Sequence, residues 1–498
     1  MLRKKKLLLN TFSSLLFQIT TIICGFILPH LILHNFGSNV NGLVNSITQF
    51  LQIIAFLELG VGAVVQSSLY KPLVDTDNTK ISQIITSAGK FFKRIAQVLL
   101  IYIILLMAFF PFIVVKEFSW IYTATLIFAM SISSFAQYYF GIVDRLLLTA
   151  DQRGYIQYTA QMLTLIVNTV ACAVLISLGS GIHFVKLSTS LIYLVRPVFL
   201  RYYVNKKYSI DRKASYSVEP IKQKWNGVAQ HVAAVVLDST DAIVLTLFST
   251  LANVSVYSIY YLVVSGVKQL FSSTINGVQA LLGELWAEDD RAGLRKLFSQ
   301  VEWGIHTGTV LIWGCTSILI VPFVKVFTNG ISDTNYIVPT FAILISLANA
   351  MYCLRMPYNI MILAAGHYKQ TQNNYIIATF LNIVISIVTV KFLGLIGVAV
   401  GTLVAMLYQT IWMANYSSKH LLEWSYHTLF KQFFVDIITA IIGYILTSTF
   451  QLVTPSGYLS WFLLAIKVAV IWIIVVVCIN TIFYRDKIVS VKNRILKK

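Results

Sequence analysis

Eight ionisable side chains interrupt stretches that are otherwise apolar enough to cross a bilayer. They are Glu58, Arg196, Asp238, Asp241, Lys268, Arg355, Asp436 and Lys467. The densest group lies in 226–250, NGVAQHVAAVVLDSTDAIVLTLFST. Asp238 and Asp241 are three apart and share one helical face, with His231 one heptad before Asp238. An acid at the centre of a membrane helix costs about 2.5–3.5 kcal/mol, so that face needs a polar cavity or a partner cation. Carboxylates beside an imidazole take up and release protons or cations, which is the chemistry of ion coupling and gating. A polar patch between helices with no transport role meets the same physical demand.

A partner cation is within reach. Spans over 226–250 and 254–283 form a hairpin about Leu251–Asn253. At the rise of a helix, Asp238 lies roughly 20 Å and Lys268 roughly 22–25 Å below that turn. The depths suit an ion pair that an arriving proton or cation could break. Arg355 has the planar, permanently charged fork that suits a diphosphate, and Arg145 ends a span at nearly the repeat-equivalent place. Together with Glu58 these form the candidate headgroup-binding set. Asp436 and Lys467 sit near span ends, where snorkelling accounts for them, and for Arg196, near the end of its span, snorkelling and a role inside the bundle are both open.

Positioning such residues takes a bundle of membrane helices. The chain of 498 residues is 57% hydrophobic and only 11% charged, which excludes a soluble globular class. Apolar windows predict an all-α polytopic membrane protein of about fourteen spans. These lie near 11–33, 40–64, 95–115, 119–143, 156–178 and 182–204, then 226–250, 254–283, 303–325, 337–364, 372–391 and 394–416, and finally 430–451 and 458–483. The N-terminal MLRKKKLLLN opens a retained first span, since its apolar run is too long for a signal peptide. With both termini cytoplasmic, thirty Lys and Arg fall inside and four outside (Lys116, Lys186, Lys325, Lys391), and four lie within spans. That bias checks the span count and explains the net charge of +19 as topology and contact with anionic lipid rather than nucleic-acid binding.

The spans group as a six-helix bundle over 1–204, a basic cytoplasmic linker over 205–225 lying on the membrane surface, a second six-helix bundle over 226–416, and two further helices with a basic tail over 430–498. At an offset of 214, Asn39-Val40 matches Asn253-Val254, Asp75 matches Asp289, Tyr138 matches Tyr352, Ala150 matches Ala364 and Asn168 matches Asn382. An even number of spans per half makes the repeat parallel, with a central cleft between bundles as the expected path. The chain has no GxxxxGK[ST], no HExxH and no CxxC pair, so no P-loop or zinc site is expected and no metal or cofactor is assigned. Its five cysteines lie inside apolar runs and predict no disulfide framework.

The grouping of six, six and two spans, with LELGVGAVVQSSLYKPL after the second and LDSTDAIVLTLFSTLANVSVYSIYY across the seventh and eighth, resembles Wzx-type oligosaccharide flippases. These are polysaccharide-biosynthesis members of the multidrug/oligosaccharidyl-lipid/polysaccharide exporter superfamily. The resemblance implies a non-enzymatic flippase in the bacterial plasma membrane. It would carry an undecaprenyl-diphosphate-linked oligosaccharide from the cytoplasmic to the outer leaflet for capsule or exopolysaccharide synthesis. Alternating access would carry it, coupled to a proton or sodium gradient, beside a polysaccharide polymerase and glycosyltransferases. The family's STD run maps onto Ser239-Thr240-Asp241, and its cationic cavities are echoed by Lys268 and Arg355. A cation-coupled multidrug exporter of the same superfamily is the rival reading. A membrane polymerase or lipid-sugar transferase is a further one, against which the very short outer loops HNFGSN, STLAN and TPSG speak.

Overall fold

Long apolar runs leave their backbone no partner in lipid but itself, so helix is the only open structure available to them. The computed structural model describes residues 2–53, 56–221, 228–450 and 455–489, and no strand occurs among them. In chain order the helices are α1 (Leu2–Gln52), α2 (Phe56–Val74), α3 (Asn78–Ile113), α4 (Trp120–Ala136), α5 (Ile142–Ala150), α6 (Gly154–Ser177), α7 (Ile182–Lys207) and α8 (Val228–Phe248). There follow α9 (Leu251–Ala287), α10 (Arg291–Phe327), α11 (Pro339–Leu354), α12 (Met356–Ala364), α13 (Tyr368–Leu393), α14 (Leu395–Ser417), α15 (Tyr426–Thr449) and α16 (Tyr458–Phe483).

Twelve helices among the described residues are long and apolar enough to cross a membrane. The first, Leu8–Gln52, breaks at Gly37 (φ 82°), so the second expected crossing runs from there into α2. With α8 as the seventh, the expected set of fourteen is accounted for.

The chain divides into two units, Met1–Ser255 and Val256–Lys498. By this division α8 falls in the first unit, where Thr246 of α8 and Ser46 of α1 share a hydrogen bond of 2.7 Å. The duplication reaches the level of elements. Shifted by 214, α3 falls on 292–327, against Arg291–Phe327 for α10, and α6 falls on 368–391, against Tyr368–Leu393 for α13. Gln152 and Gly366, at the same offset, both take positive φ in the turns before α6 and α13. A π-helical turn over Gln137–Gly141 separates α4 from α5, and the matching 351–355 is where α11 gives way to α12 at Arg355.

The first unit is closed at one end by polar contacts among three chain segments. Asp151, in the turn between α5 and α6, accepts hydrogen bonds from Lys6 (3.0 Å), Arg153 and Tyr208. Burial pushes its carboxyl up, but the three donors together outweigh that and hold it below the usual carboxylate range. The N-terminus, this turn and the end of α7 therefore meet, as an even number of crossings requires.

The described part of the linker, 208–221, packs along the start of α3. Ser82 Oγ accepts from the Asp211 N–H (3.0 Å), Gln83 donates to the Ser215 carbonyl (3.1 Å) and Ser87 donates to Glu219. Arg212 reaches Asp144, a fully buried acid of α5, at 2.7 Å. The reason is local. The first turns of α3 present a polar face, and a buried carboxylate needs a cation.

Candidate functional site

Helices α4 to α7 of the first unit carry three sets of polar residues at helical spacing. On α6 they are Gln157, Gln161, Asn168 and Cys172; on α7 they are Lys186, Thr189, Ser190, Tyr193 and Arg196. From α4 through the π turn to α5 they are Ser133, Ser134, Gln137, Tyr138 and Arg145. Steps of three and four keep each set on one face, and the three faces meet around a cavity of about 570 Å³. That lies within the 300–1,000 Å³ or so of ordinary ligand pockets.

Three cations line this cavity, Arg145, Lys186 and Arg196, and among the described residues no carboxylate does. Asp144, next to Arg145 in sequence, is engaged instead by Arg212 and Arg201. Arg196 is held in place: its Nε donates to Thr164 Oγ1, its Nη2 donates to the Gln161 carbonyl (3.4 Å), and its Cζ stands 4.0 Å from the Tyr193 ring centroid. Tyr193 in turn accepts from Asn168 Nδ2 at 3.3 Å. Lys186 makes no hydrogen bond or ion pair among the described residues. The π turn lets Gln137 and Tyr138 both face the cavity, and inserted π turns recur at functional sites. Gly141 allows α5 to press on α7, since a Cβ there would lie 2.7 Å from Pro197 Cβ.

Positive charge with no acid among the described lining residues, ringed by amides and hydroxyls, suits an anion bearing hydroxyl groups better than an organic cation.

The other predicted residues fall elsewhere. Lys268 of α9 and Arg355, at the junction of α11 and α12, meet on one ring. Lys268 Nζ stands 4.3 Å and Arg355 Cζ 4.6 Å from the Tyr352 centroid. Arg355 is buried, and its Nη1 has no hydrogen-bond partner among the described residues. Asp241 is buried on α8. Glu58, His231 and Asp238 are carried by α2 and α8, but their side chains lie outside the described residues, so the expected Asp238–Lys268 pair does too. Arg145 lines the cavity of the first unit, whereas Lys268 and Arg355 belong to the second.

Sequence reasoning did not place two of the three cavity cations. Lys186 was assigned to an outer loop and Arg196 was left open between snorkelling and a role inside the bundle, yet both sit on the polar stripe of α7, whose spacing was the available signal. In the second unit an open groove of about 390 Å³ between α9, α10 and α16 is lined by apolar side chains such as Leu311, Ile312, Leu319, Phe323 and Trp461.

No protein-family model and no curated protein sequence matches the chain. Solved structures do. The lipid II flippase MurJ in its inward closed conformation is similar with a TM-score of 0.71 and 17% identity, covering 97% of this chain and 100% of that one. An inward-facing multidrug resistance MATE-family transporter of the MOP superfamily is similar with a TM-score of 0.63 and 16% identity, covering 80% and 95%. The fold is the one these transporters share. A MOP-superfamily transporter from Pyrococcus furiosus, described as having a binding pocket of reverse polarity and a suggested different function, is similar at a TM-score of 0.54, with 15% identity over 82% of this chain and 95% of that one.

Proposed function

We propose that this protein is a flippase for anionic lipid-linked saccharides, of the undecaprenyl-diphosphate-linked oligosaccharide class, serving surface polysaccharide synthesis. The observation that carries the reading is the cavity with Arg145, Lys186 and Arg196 and, among the described residues, no lining carboxylate. Arginine forks suit the diphosphate, and Gln157, Gln161, Asn168 and Thr189 suit sugar hydroxyls. The MurJ neighbour is named a lipid II flippase, which supports the same substrate class. Moving such a lipid breaks no bond, so no enzyme chemistry is assigned.

In this reading Arg145 contacts the headgroup, with Arg355 and Glu58 as further candidates. Asp241, with Asp238 and His231 on the same helix and Lys268 on α9, is the candidate for coupling to a proton or sodium ion. The protein would sit in the bacterial plasma membrane with both termini cytoplasmic, between the glycosyltransferases that build the repeat and the polymerase that consumes it.

The MATE-like fold and the buried Asp241 favour a second reading, a cation-coupled multidrug exporter. Deletion in the host separates the two. Lost surface polymer with lipid-linked repeat units held in the inner leaflet, restored by wild type and not by Arg145→Gln/Arg196→Gln, is the flippase outcome. Normal polymer with altered tolerance to cationic drugs is the exporter outcome.

A further inference from the structure

The second unit holds a closed line of ionisable side chains that the proposed function leaves unused. Glu302 and His306 lie one turn apart on α10, Tyr358 is in the first turn of α12, and Asp436 is on α15. The first three are at most 2% exposed and Asp436 is 7% exposed. Snorkelling does not describe Asp436. It faces the bundle, where its Oδ2 lies 2.6 Å from His306 Nδ1 and its Oδ1 accepts from Gln432 at 3.2 Å. On the far side of the imidazole, His306 Nε2 lies 3.5 Å from Tyr358 Oη, which donates to Glu302 Oε1 at 2.6 Å.

These contacts run in one direction. The tyrosine proton is given to Glu302, so Tyr358 Oη offers only lone pairs to His306 Nε2, and that contact is a hydrogen bond when Nε2 carries a proton. Nδ1 faces a carboxylate and is satisfied by a proton as well. The arrangement is therefore Asp436 carboxylate, imidazolium, Tyr358, Glu302 carboxylate, with a net charge of −1 in a buried place. One further proton, on Glu302, makes it neutral, and burial favours that uptake.

One end of the line lies near a cation. Lys487, just past α16, donates to the Ser299 carbonyl at 2.8 Å, one turn of α10 before Glu302. Among the described residues, the remaining charged or titratable groups facing the line are Tyr484, beyond α16, and Lys431 on α15, both near Lys487. Arg295 and Glu423 pair with each other at 2.8 Å nearer the start of α10. Asn480 of α16 is occupied by Trp303, whose Nε1 donates to it at 2.6 Å.

We propose that Glu302, His306, Tyr358 and Asp436 form a proton-binding site, loaded and emptied through Lys487 from the end of the unit that carries the C-terminus. A proton leaves Lys487 Nζ and arrives on a Glu302 carboxylate oxygen, and Lys487 is recharged from solvent. Burial pushes the Lys487 ammonium down to about 8, with Lys431 acting the same way and Glu302 opposing, so it gives up a proton near neutral pH. The site ties α15, which lies outside the duplicated six-helix pattern, to α10 and α12 within it.

Infrared difference spectroscopy on the purified full-length protein, stepped from about pH 9 to about pH 5 across the ordinary histidine range, tests this without any substrate. The wild type is expected to gain one protonated-carboxyl band. Glu302→Gln is expected to lose it, and Lys487→Met to slow its appearance after a pH jump at least tenfold with its final size unchanged. Tyr358→Phe keeps both acids and the imidazole, and is expected to move the midpoint by about one pH unit. A band that persists in Glu302→Gln, or a midpoint and rate untouched by Tyr358→Phe and Lys487→Met, overturns the proposal. Should Glu302→Gln fail to fold, Tyr358→Phe and Lys487→Met decide alone. Either failure leaves the flippase reading intact, because no transported lipid enters the measurement.

Discussion

Helices of the two units repeat at a constant offset, yet each unit gathers a different polar cluster. In the first, α4 to α7 line an open cavity with Arg145, Lys186 and Arg196 and, among the described residues, no lining acid. In the second, α10, α12 and α15 enclose two acids, a histidine and a tyrosine in one buried line. A duplicated scaffold has thus been loaded differently in its halves. The helix interruptions are kept at matching positions, Gln137–Gly141 and the Arg355 junction, while the side chains hung on them diverge. Backbone duplication constrains where a helix bends far more than it constrains the charge placed there.

The sharpest way to break this contrast is to remove the positive sign from the first unit. Each arginine–phosphate contact is worth about 2 kcal/mol, or roughly 30-fold in affinity, so Arg145→Gln/Arg196→Gln should weaken binding of a polyprenyl-diphosphate saccharide by roughly 1,000-fold if the two act independently. Equilibrium binding to the purified protein measures this. Lys186→Gln, a single point charge, should cost about tenfold.

The closed end of the first unit supports its cavity and supplies the next effect. Asp151→Asn removes an anion that accepts three donors and should lower stability by about 2 kcal/mol, read as a drop in the melting temperature in detergent at pH 7. The folded pKa of Asp151 lies below its unfolded value near 3.9, so its contribution is fully present above about pH 4 and fades as pH falls toward the folded value. The gap between wild type and Asp151→Asn should therefore narrow as pH falls below about 4.

Shape at the bend is probed by Gly141→Val, which drives a side chain into Pro197 and should cost about 1–3 kcal/mol in stability. The smallest effect belongs to the second unit. Tyr352→Leu removes the ring shared by Lys268 and Arg355 and should cost about 1 kcal/mol, while Tyr352→Phe should be nearly silent. A loss in Tyr352→Phe equal to that in Tyr352→Leu would show that the hydroxyl, and not the ring face, matters.

Much of the fold was legible, because the period of apolar runs and the Lys and Arg bias are set by the bilayer. The offset of 214, visible in scattered pairs such as Tyr138 and Tyr352, reappears in helix bounds and in the turns at Gln152 and Gly366. The site was less legible. Lys268 and Arg355 were expected to serve different tasks, and they share Tyr352 because α9 and α11 pack at that level, which no spacing within one helix reports. Lys186 lies within one turn or so of the start of α7, so position along the chain read it as solvated, while its helical face decides that it lines a cavity. Asp436 fails for the same reason: depth along α15 suggested snorkelling, but the partner His306 lies 130 residues away in sequence. The linker, basic and polar throughout, gave no hint of the acid at Asp144 that anchors it.

The central claim is that the cations of the first unit receive an anionic lipid-linked head. Its most direct test is reconstitution of the purified protein into liposomes containing a fluorescent undecaprenyl-diphosphate saccharide, with leaflet exchange followed by a membrane-impermeant quencher. The account predicts rapid exchange with wild type and loss to the protein-free rate with Arg145→Gln/Arg196→Gln, a variant that should keep the wild-type melting temperature to within a few degrees. Equal exchange by wild type and the double variant, both folded, would contradict it.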